Sequence, residues 1–210
     1  MDAFDEAITQ LKKLPGIGKK SAQRLVFHLL SVADSEVEHL LDSIQTANEE
    51  LGYCDRCYGL AQKSTCNVCR DPERDRSRLA VIAQPEDVFP IEDTGEYNGL
   101  YHVLRGLISP LEGVGPEQLT IRPLIQRITD DEEPIEEIIF AFNPTNEGEV
   151  TINYLKKRLE DKDVSLSHLG YGIPVGSDIG YADKMTLSQA FENRVALDEI
   201  SDSETGSGDI

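Results

Sequence analysis

Three groups of residues in this 210-residue chain have the types and spacing for chemistry. The first is IIFAFNPTNEGEV, Ile138 to Val150: an apolar run, a turn at Asn143-Pro144, and Glu147-Gly148-Glu149 opening an amphipathic segment. This is the layout of a metal loop between a buried strand and a helix. A hard divalent cation, however, wants carboxylates directly after the strand, and the chain has Asn143 and Thr145 there. The second is YCDRCYGLAQKSTCNVCRDPERDRS, with C-x2-C, eight intervening residues and a second C-x2-C. The third is LKKLPGIGKKSAQR, with Gly16 and Gly18 on either side of Ile17 and a lysine pair following.

Each C-x2-C pair can place two thiolates about one zinc, and two pairs complete a closed tetrahedral site. Cys54, Cys57, Cys66 and Cys69 are the chain's whole cysteine complement, so none is left over. With no open coordination position the expected single Zn2+ is structural and supplies folding energy to a short segment. A disulfide or redox role for C-x2-C is the alternative. In the glycine segment, small residues between two short helices allow a tight turn and bring amides close to an anion, with a helix N-terminus adding its positive dipole end. Gly16, Gly18, Lys19, Lys20 and Arg24 are the candidate DNA-binding residues, with Lys20 and Arg24 four apart on one helical face. The pattern is that of a helix-hairpin-helix gripping the DNA backbone without reading bases; a plain turn with solvated lysines is the alternative.

The elements that must position these groups are legible in outline. Ala7 to Leu11 and Ser21 to Leu30 read as helices, the second with Ala22, Leu25, Val26, Leu29 and Leu30 on one face, and Leu40, Leu41 and Ile44 suggest a third. His28 is expected to pack within its helix. From Leu79 the texture changes: LAVIA, EIIFAF and VSLSHLG read as strands and TINYLKKRLED as a helix, which argues for an α/β domain with a mainly parallel sheet. TGEYNGLYHVLRG, with Tyr97, Tyr101 and His102, is expected to be an amphipathic segment packed on that sheet, and no catalytic role is assigned to it. Asn146 is expected to N-cap the following helix with Glu149 as the capping-box acid, so a purely structural strand-to-helix turn also accounts for the acids.

Net charge is -19, distributed unevenly. Residues 1–30 sum to +2, 31–50 to -6 and 51–78 to +2, leaving -17 for the remainder. An acidic chain is repelled by nucleic acid unless local basic patches neutralise phosphates, and two such patches survive. The acidity is equally read as adaptation to a high-salt cytoplasm or as an acidic tail plus scatter. Residues 201–210 are acidic, with Ser and Gly, and are expected to be disordered. There is no run of about 18 apolar residues and no signal-peptide pattern, so the expectation is a cytoplasmic protein with no membrane partner.

In Toprim domains of type I topoisomerases and bacterial primases, a Glu follows an early strand and an Asp-x-Asp a later one, and these acids hold Mg2+. The topoisomerase pattern D-P-D-R-E-G-E is similar to N-P-T-N-E-G-E of residues 143–149, with both aspartates changed. Nearly the whole chain resembles the bacterial recombination mediator family RecR, through LPGIGKKSAQRLVFHLL, CRDPERDRS, TGEYNGLYHVLRGLISPLEGVGP, NPTNEGEVT and GIPVGSDIGYADKMTLSQAFENR. The resemblance implies a Toprim-type, mainly parallel sheet with flanking helices, preceded by a helix-hairpin-helix and a small four-cysteine zinc finger. Its order is residues 1–53 helix-hairpin-helix, 54–77 zinc finger, 78–173 Toprim and 174–200 a C-terminal segment. It further implies a non-catalytic role in recombinational repair on single- and double-stranded DNA. There the protein would work with RecO, and in some contexts RecF, to promote RecA loading on SSB-covered single strands. A dimer or tetramer ring and a partner contact at Asn143, Glu147 and Glu149 are implied too.

The departures from the family pattern point one way. An early Glu is missing from Val81-Ile82-Ala83-Gln84, His168 stands where Arg is usual, and Gly180 where Glu is usual. The rivals are a Mg2+-dependent Toprim nuclease or topoisomerase-like enzyme, which needs carboxylates the chain lacks, and a protein adaptor that barely touches DNA.

Overall fold

The computed structural model describes residues 2–130 and 134–195. The acidic end at 201–210, and residues 196–200 of the expected C-terminal segment, lie outside the described residues. The chain divides into two compact units, Met1–Gly52 and Tyr53–Ile210.

The first unit is helical: α1 (Ala3–Leu11), α2 (Lys19–Ser31) and α3 (Asp34–Glu50). Ile8, Ala22 and Val26 form its small core, with Phe4, Ala7, Leu11 and Ile17 packed around them. Both helices start earlier than expected: α2 because Lys19-Lys20 is polar and carries no periodic signal, and α1 because its first turn supplies Phe4 to the core. The expected apolar face of α2 is only half used. Ala22 and Val26 are buried, whereas Leu25 and Leu30 are exposed, and so is Phe27 at 62 %. His28 is a correction: it lies on the exposed side of α2. No residue of α3 is buried, and Leu40, Leu41 and Ile44 face outward.

The four-cysteine ribbon follows, with β1 (Gly52–Tyr53) at the boundary of the units, then β2 (Leu60–Ala61) and a one-turn α4 (Asn67–Arg70) in the second unit. Then follow β3 (Asp75–Ile82), α5 (Val88–Glu92), β4 (Gly99–Val103), α6 (Ile121–Asp130), β5 (Glu137–Ala141), α7 (Asn146–Arg158), β6 (Ser165–His168) and α8 (Lys184–Glu192). The four-stranded sheet has the order β4-β3-β5-β6, and every pairing in it is parallel. β3 is central because Leu79 to Ile82 is apolar on both faces, as a strand covered on both sides must be. Leu79 and Val81 point to one side with Leu100, Ile138, Phe140, Leu124 of α6 and Leu155 of α7. Ala80 and Ile82 point to the other, with Tyr101, Val103, Val88 and Ile91.

The segment GLYHV corrects the expectation of an amphipathic piece lying on the sheet: it is β4, buried at all five positions. Tyr97 and Tyr101 meet edge to face, centroids 5.2 Å apart. The Tyr101 hydroxyl donates to Glu92 at 2.6 Å, and Glu92 also takes a bidentate contact from Arg74. That charge-assisted contact, ahead of the tyrosine's, holds Glu92 below the usual carboxylate range. His102 is fully buried, with Nε2 2.9 Å from the Thr120 carbonyl. A carbonyl only accepts, so Nε2 carries the proton and Nδ1, which has no partner, is bare.

Burial pushes His102 down to about 3, with the Arg127 charge adding to the effect. From about pH 6.5 down to that value the unfolded chain binds a proton that the folded chain refuses. Stability therefore falls with pH, by up to about 1.4 kcal/mol per unit. Urea unfolding at pH 7.5 and 5.5 should show wild type losing about 1 kcal/mol more than His102→Gln, whose amide can still donate to Thr120. Equal losses in the two proteins would remove His102 as the cause.

Candidate functional sites

In the first unit, Lys12 closes α1 and the chain turns through Leu14-Pro15-Gly16, where the Ile17 amide donates to the Leu14 carbonyl at 3.2 Å. Gly16 has φ +77°, a left-handed conformation that glycine adopts without steric cost. Gly18 is the N-cap of α2, with no side chain bonded to the helix's first amides. A Cβ at Gly18 would meet nothing within 4 Å and its φ is -84°, so neither packing nor conformation within this chain requires glycine there. Open amides, the positive helix end and the exposed Lys19, Lys20 and Arg24 are thus gathered at one helix start.

The four cysteines converge. Their sulfurs all lie within 4.8 Å of one another, and Cys57 Sγ is 3.6 Å from Cys66 Sγ. A tetrahedron with metal–sulfur bonds of about 2.3 Å has edges of about 3.8 Å, whereas a disulfide needs about 2.0 Å. The amides of Gly59, Cys66 and Cys69 donate to Cys57, Cys54 and Cys66 sulfurs at 3.4 Å, which favours thiolates. Without a cation the thiols conflict. Hydrogen bonding to Cys66 pushes Cys57 up, and hydrogen bonding from Cys57 pulls Cys66 down. A divalent cation removes that conflict by stabilising all four as anions. Among the described residues this is the one group of three or more His, Cys, Asp or Glu side chains close enough to share a metal ion.

The ribbon is docked on β4. Tyr58, at φ +63°, turns the chain after the first pair of cysteines, and its ring packs 5.4 Å from His102. The Val103 amide donates to the Cys57 carbonyl at 2.8 Å.

The loop after β5 lies at the carboxyl edge of the sheet, beside the end of β3. Pairing runs Val81 to Phe140 and Ile82 to Ala141, so continuing the register brings Gln84 level with Asn143. The chain leaves β3 toward β4 and leaves β5 toward β6, so the crevice between the β3 and β5 ends is the switch point where open α/β sheets bind ligands. Ala83 is buried there, and the nearby Asp87 carboxylate is occupied by the Gln84 amide at 2.8 Å.

The cap differs from the expected one. Thr145, not Asn146, is the N-cap, and its hydroxyl accepts from the Gly148 amide at 3.2 Å. Gly148 therefore holds the third helical position, and Glu149 falls one beyond the place of a capping-box acid. The reason is steric: a Cβ on residue 148 would sit 2.5 Å from the Asn143 carbonyl oxygen, so the helix starts where glycine permits contact with the strand end. Glu147 is half-buried and Glu149 exposed, neither used as a cap. Burial, then the Glu149 charge, raises the Tyr171 hydroxyl above its ordinary range, and Tyr171 stacks on His168 at 5.0 Å.

One buried hydroxyl escaped the reading from sequence. Thr151 donates to the Glu147 carbonyl at 2.7 Å and accepts from the Ile108 amide at 2.9 Å, tying α7 to the segment after β4. Its signal was a lone Thr on the inward face of an amphipathic helix.

The architecture defines a Toprim-domain protein, and residues 77–170 match the family model for the Toprim domain. Residues 4–48 match the model for the RecR helix-hairpin-helix and 172–195 that for the RecR C-terminal region. The recombination protein RecR of Cyanothece sp. is 46% identical over 195 residues, covering 91% of this chain and 94% of the relative. That of Gloeobacter violaceus is 46% identical over 187 residues, 89% of this chain and 94% of its own. That of Paenarthrobacter aurescens is 44% identical over 192 residues, 91% and 96% respectively. The chain belongs to the RecR family.

Because Cys57 carries the carbonyl that closes the β4 edge, loss of metal should register at Val103. Chelation, or Cys66→Ser, is expected to raise amide exchange at Val103 at least about tenfold while Ala80, inside the sheet, changes little. Unchanged exchange at Val103 would mean that the ribbon holds its shape without a cation.

Proposed function

We propose that this chain is a non-catalytic DNA-binding protein of recombinational repair. The observation that carries the reading is the open start of α2, where unbonded amides meet Lys19, Lys20 and Arg24 while the neighbouring glycines leave room for a phosphate. The contact is to backbone rather than bases, so single- and double-stranded DNA both qualify. We assign one structural Zn2+ to Cys54, Cys57, Cys66 and Cys69, and a partner contact to Asn143, Glu147 and Glu149. By family, that partner is RecO, with RecF in some contexts, and the outcome is RecA loading on SSB-covered strands. The proposed division is residues 1–53, 54–77, 78–173 and 174–200. No helix among the described residues is long and apolar enough to cross a membrane, which agrees with a cytoplasmic setting.

Absence of catalysis is supported by the residues at the sheet edge. An amide at Asn143, a hydroxyl at Thr145 and a methyl at Ala83 stand where Mg2+ would need oxygen anions. Ring formation is supported by exposed apolar side chains: Leu25, Phe27 and Leu30 of α2, Leu40, Leu41 and Ile44 of α3, and Met185 and Phe191 of α8. Several weak phosphate sites acting together in a ring would offset the repulsion of an acidic subunit. The adaptor reading keeps one specific support, the net charge of -19.

DNA affinity measured with and without RecO across a salt series tests these together. Lys20→Glu should weaken binding to a duplex about five- to tenfold at low salt and flatten the salt dependence by about one ion. Binding that ignores the charge reversal defeats the assignment, and no binding in either condition favours the adaptor. Incubation of supercoiled plasmid with Mg2+ should leave it intact; nicking would restore the enzyme.

A further inference from the structure

β4 leaves the sheet under unusual restraint. After Val103, the Leu104 amide donates to the Ile82 carbonyl and the Gly106 amide to the Ala83 carbonyl, each at 2.9 Å. Arg105 is held between these two bonds at φ +66°, in the left-handed region that side-chain-bearing residues resist. Among the described residues only Tyr58 shares that condition without being glycine. What the strain achieves is visible: the guanidinium carbon of Arg105 lies 3.4 Å over the ring centroid of Tyr53. The pair is at the surface, with Tyr53 53 % exposed and Arg105 exposed. No carboxylate pairs with Arg105 among the described residues, although acids outnumber bases 39 to 20 in the chain.

We propose that Tyr53 and Arg105 form a stacking platform for an unpaired base of single-stranded DNA. A guanidinium laid flat on an aromatic ring presents a planar π-surface with a positive charge at its rim, which suits a nucleobase and its adjacent phosphate and is indifferent to base identity. In a duplex the base faces are already stacked, so this site discriminates single from double strands, which a backbone grip does not. It lies just beyond the carboxyl end of the edge strand β4, separate from the switch point between β3 and β5. A pair that only glued the ribbon to the sheet would need neither the exposure nor an arginine without an acid. The inference rests on the DNA-binding reading above and adds to it a second contact, located in the second unit.

The test uses full-length, zinc-loaded protein with a fluorescein-labelled 20-nucleotide oligothymidine and a 20-base-pair duplex. Tyr53→Ala and Arg105→Ala should each weaken oligothymidine binding by about five- to tenfold and change duplex binding less than about twofold. Tyr53→Phe should bind as wild type does. Arg105→Lys, which keeps the charge and loses the plane, should resemble Arg105→Ala. Oligothymidine carrying 5-iododeoxyuridine should photo-crosslink to Tyr53 in the unmodified protein, an outcome that does not depend on any variant folding. Unchanged oligothymidine affinity in both alanine variants, equal losses on the two DNAs, or crosslinks that avoid Tyr53 would overturn the proposal. Where wild-type binding persists and depends on Lys20, such a result removes the platform alone. If wild type binds neither DNA, the DNA-binding reading fails and the platform with it.

Discussion

The hydrogen bond from the Val103 amide to the Cys57 carbonyl joins the two parts of the second unit on which everything else rests. β4 is an edge strand, and an edge presents backbone groups that invite pairing with other chains. Here a cysteine knuckle covers the edge, its four sulfurs within 4.8 Å of one another and three of them accepting backbone amide hydrogen bonds. The geometry of the sulfur site thus reaches the sheet through a backbone hydrogen bond as well as through the Tyr58 ring on His102. The same docking packs Tyr58 against His102, whose burial excludes a second proton from the ring.

On the other side of β3 the sheet ends at the switch point between the carboxyl ends of β3 and β5. The Toprim frame is complete there in its backbone: parallel strands, a turn, and a helix whose glycine lets it rest against a strand-end carbonyl. Its charge is displaced. Carboxylates sit on the first turn of α7 rather than on the strand ends, near Tyr171 and away from the crevice floor. At the strand ends Asn143 and Ala83 leave that frame without carboxylates, so the fold alone does not carry the chemistry.

Much of this was legible in the sequence, for identifiable reasons. LAVI and EIIFA announce themselves because a strand buried on both faces has no polar interruption. The cysteine spacing fixes its own geometry. β4 was hidden because Tyr101 and His102 look like surface chemistry, and only the third dimension supplies Glu92, Thr120 and Tyr58 to satisfy or cover them. The cap was misplaced by one residue because Thr145 and Asn146 are both good caps, and the choice was made by contact between residue 148 and the Asn143 carbonyl, five positions away. His28 was misjudged because apolar neighbours suggest burial, whereas the small core of the first unit covers only Ala22 and Val26 of that helix. The pairing of Arg105 with Tyr53 has no sequence signal at all, since it depends on a backbone angle.

The third helix carries a consequence of a different kind. A helix of 17 residues that buries none of them gains little from its own chain, and isolated helices of about that length are marginal in water. Leu40, Leu41 and Ile44 nevertheless line one side of it. A partner covering that side would lend it stability according to mass action, as the logarithm of the partner's concentration over its dissociation constant. The order of residues 34–50 would then rise with the concentration of such a partner.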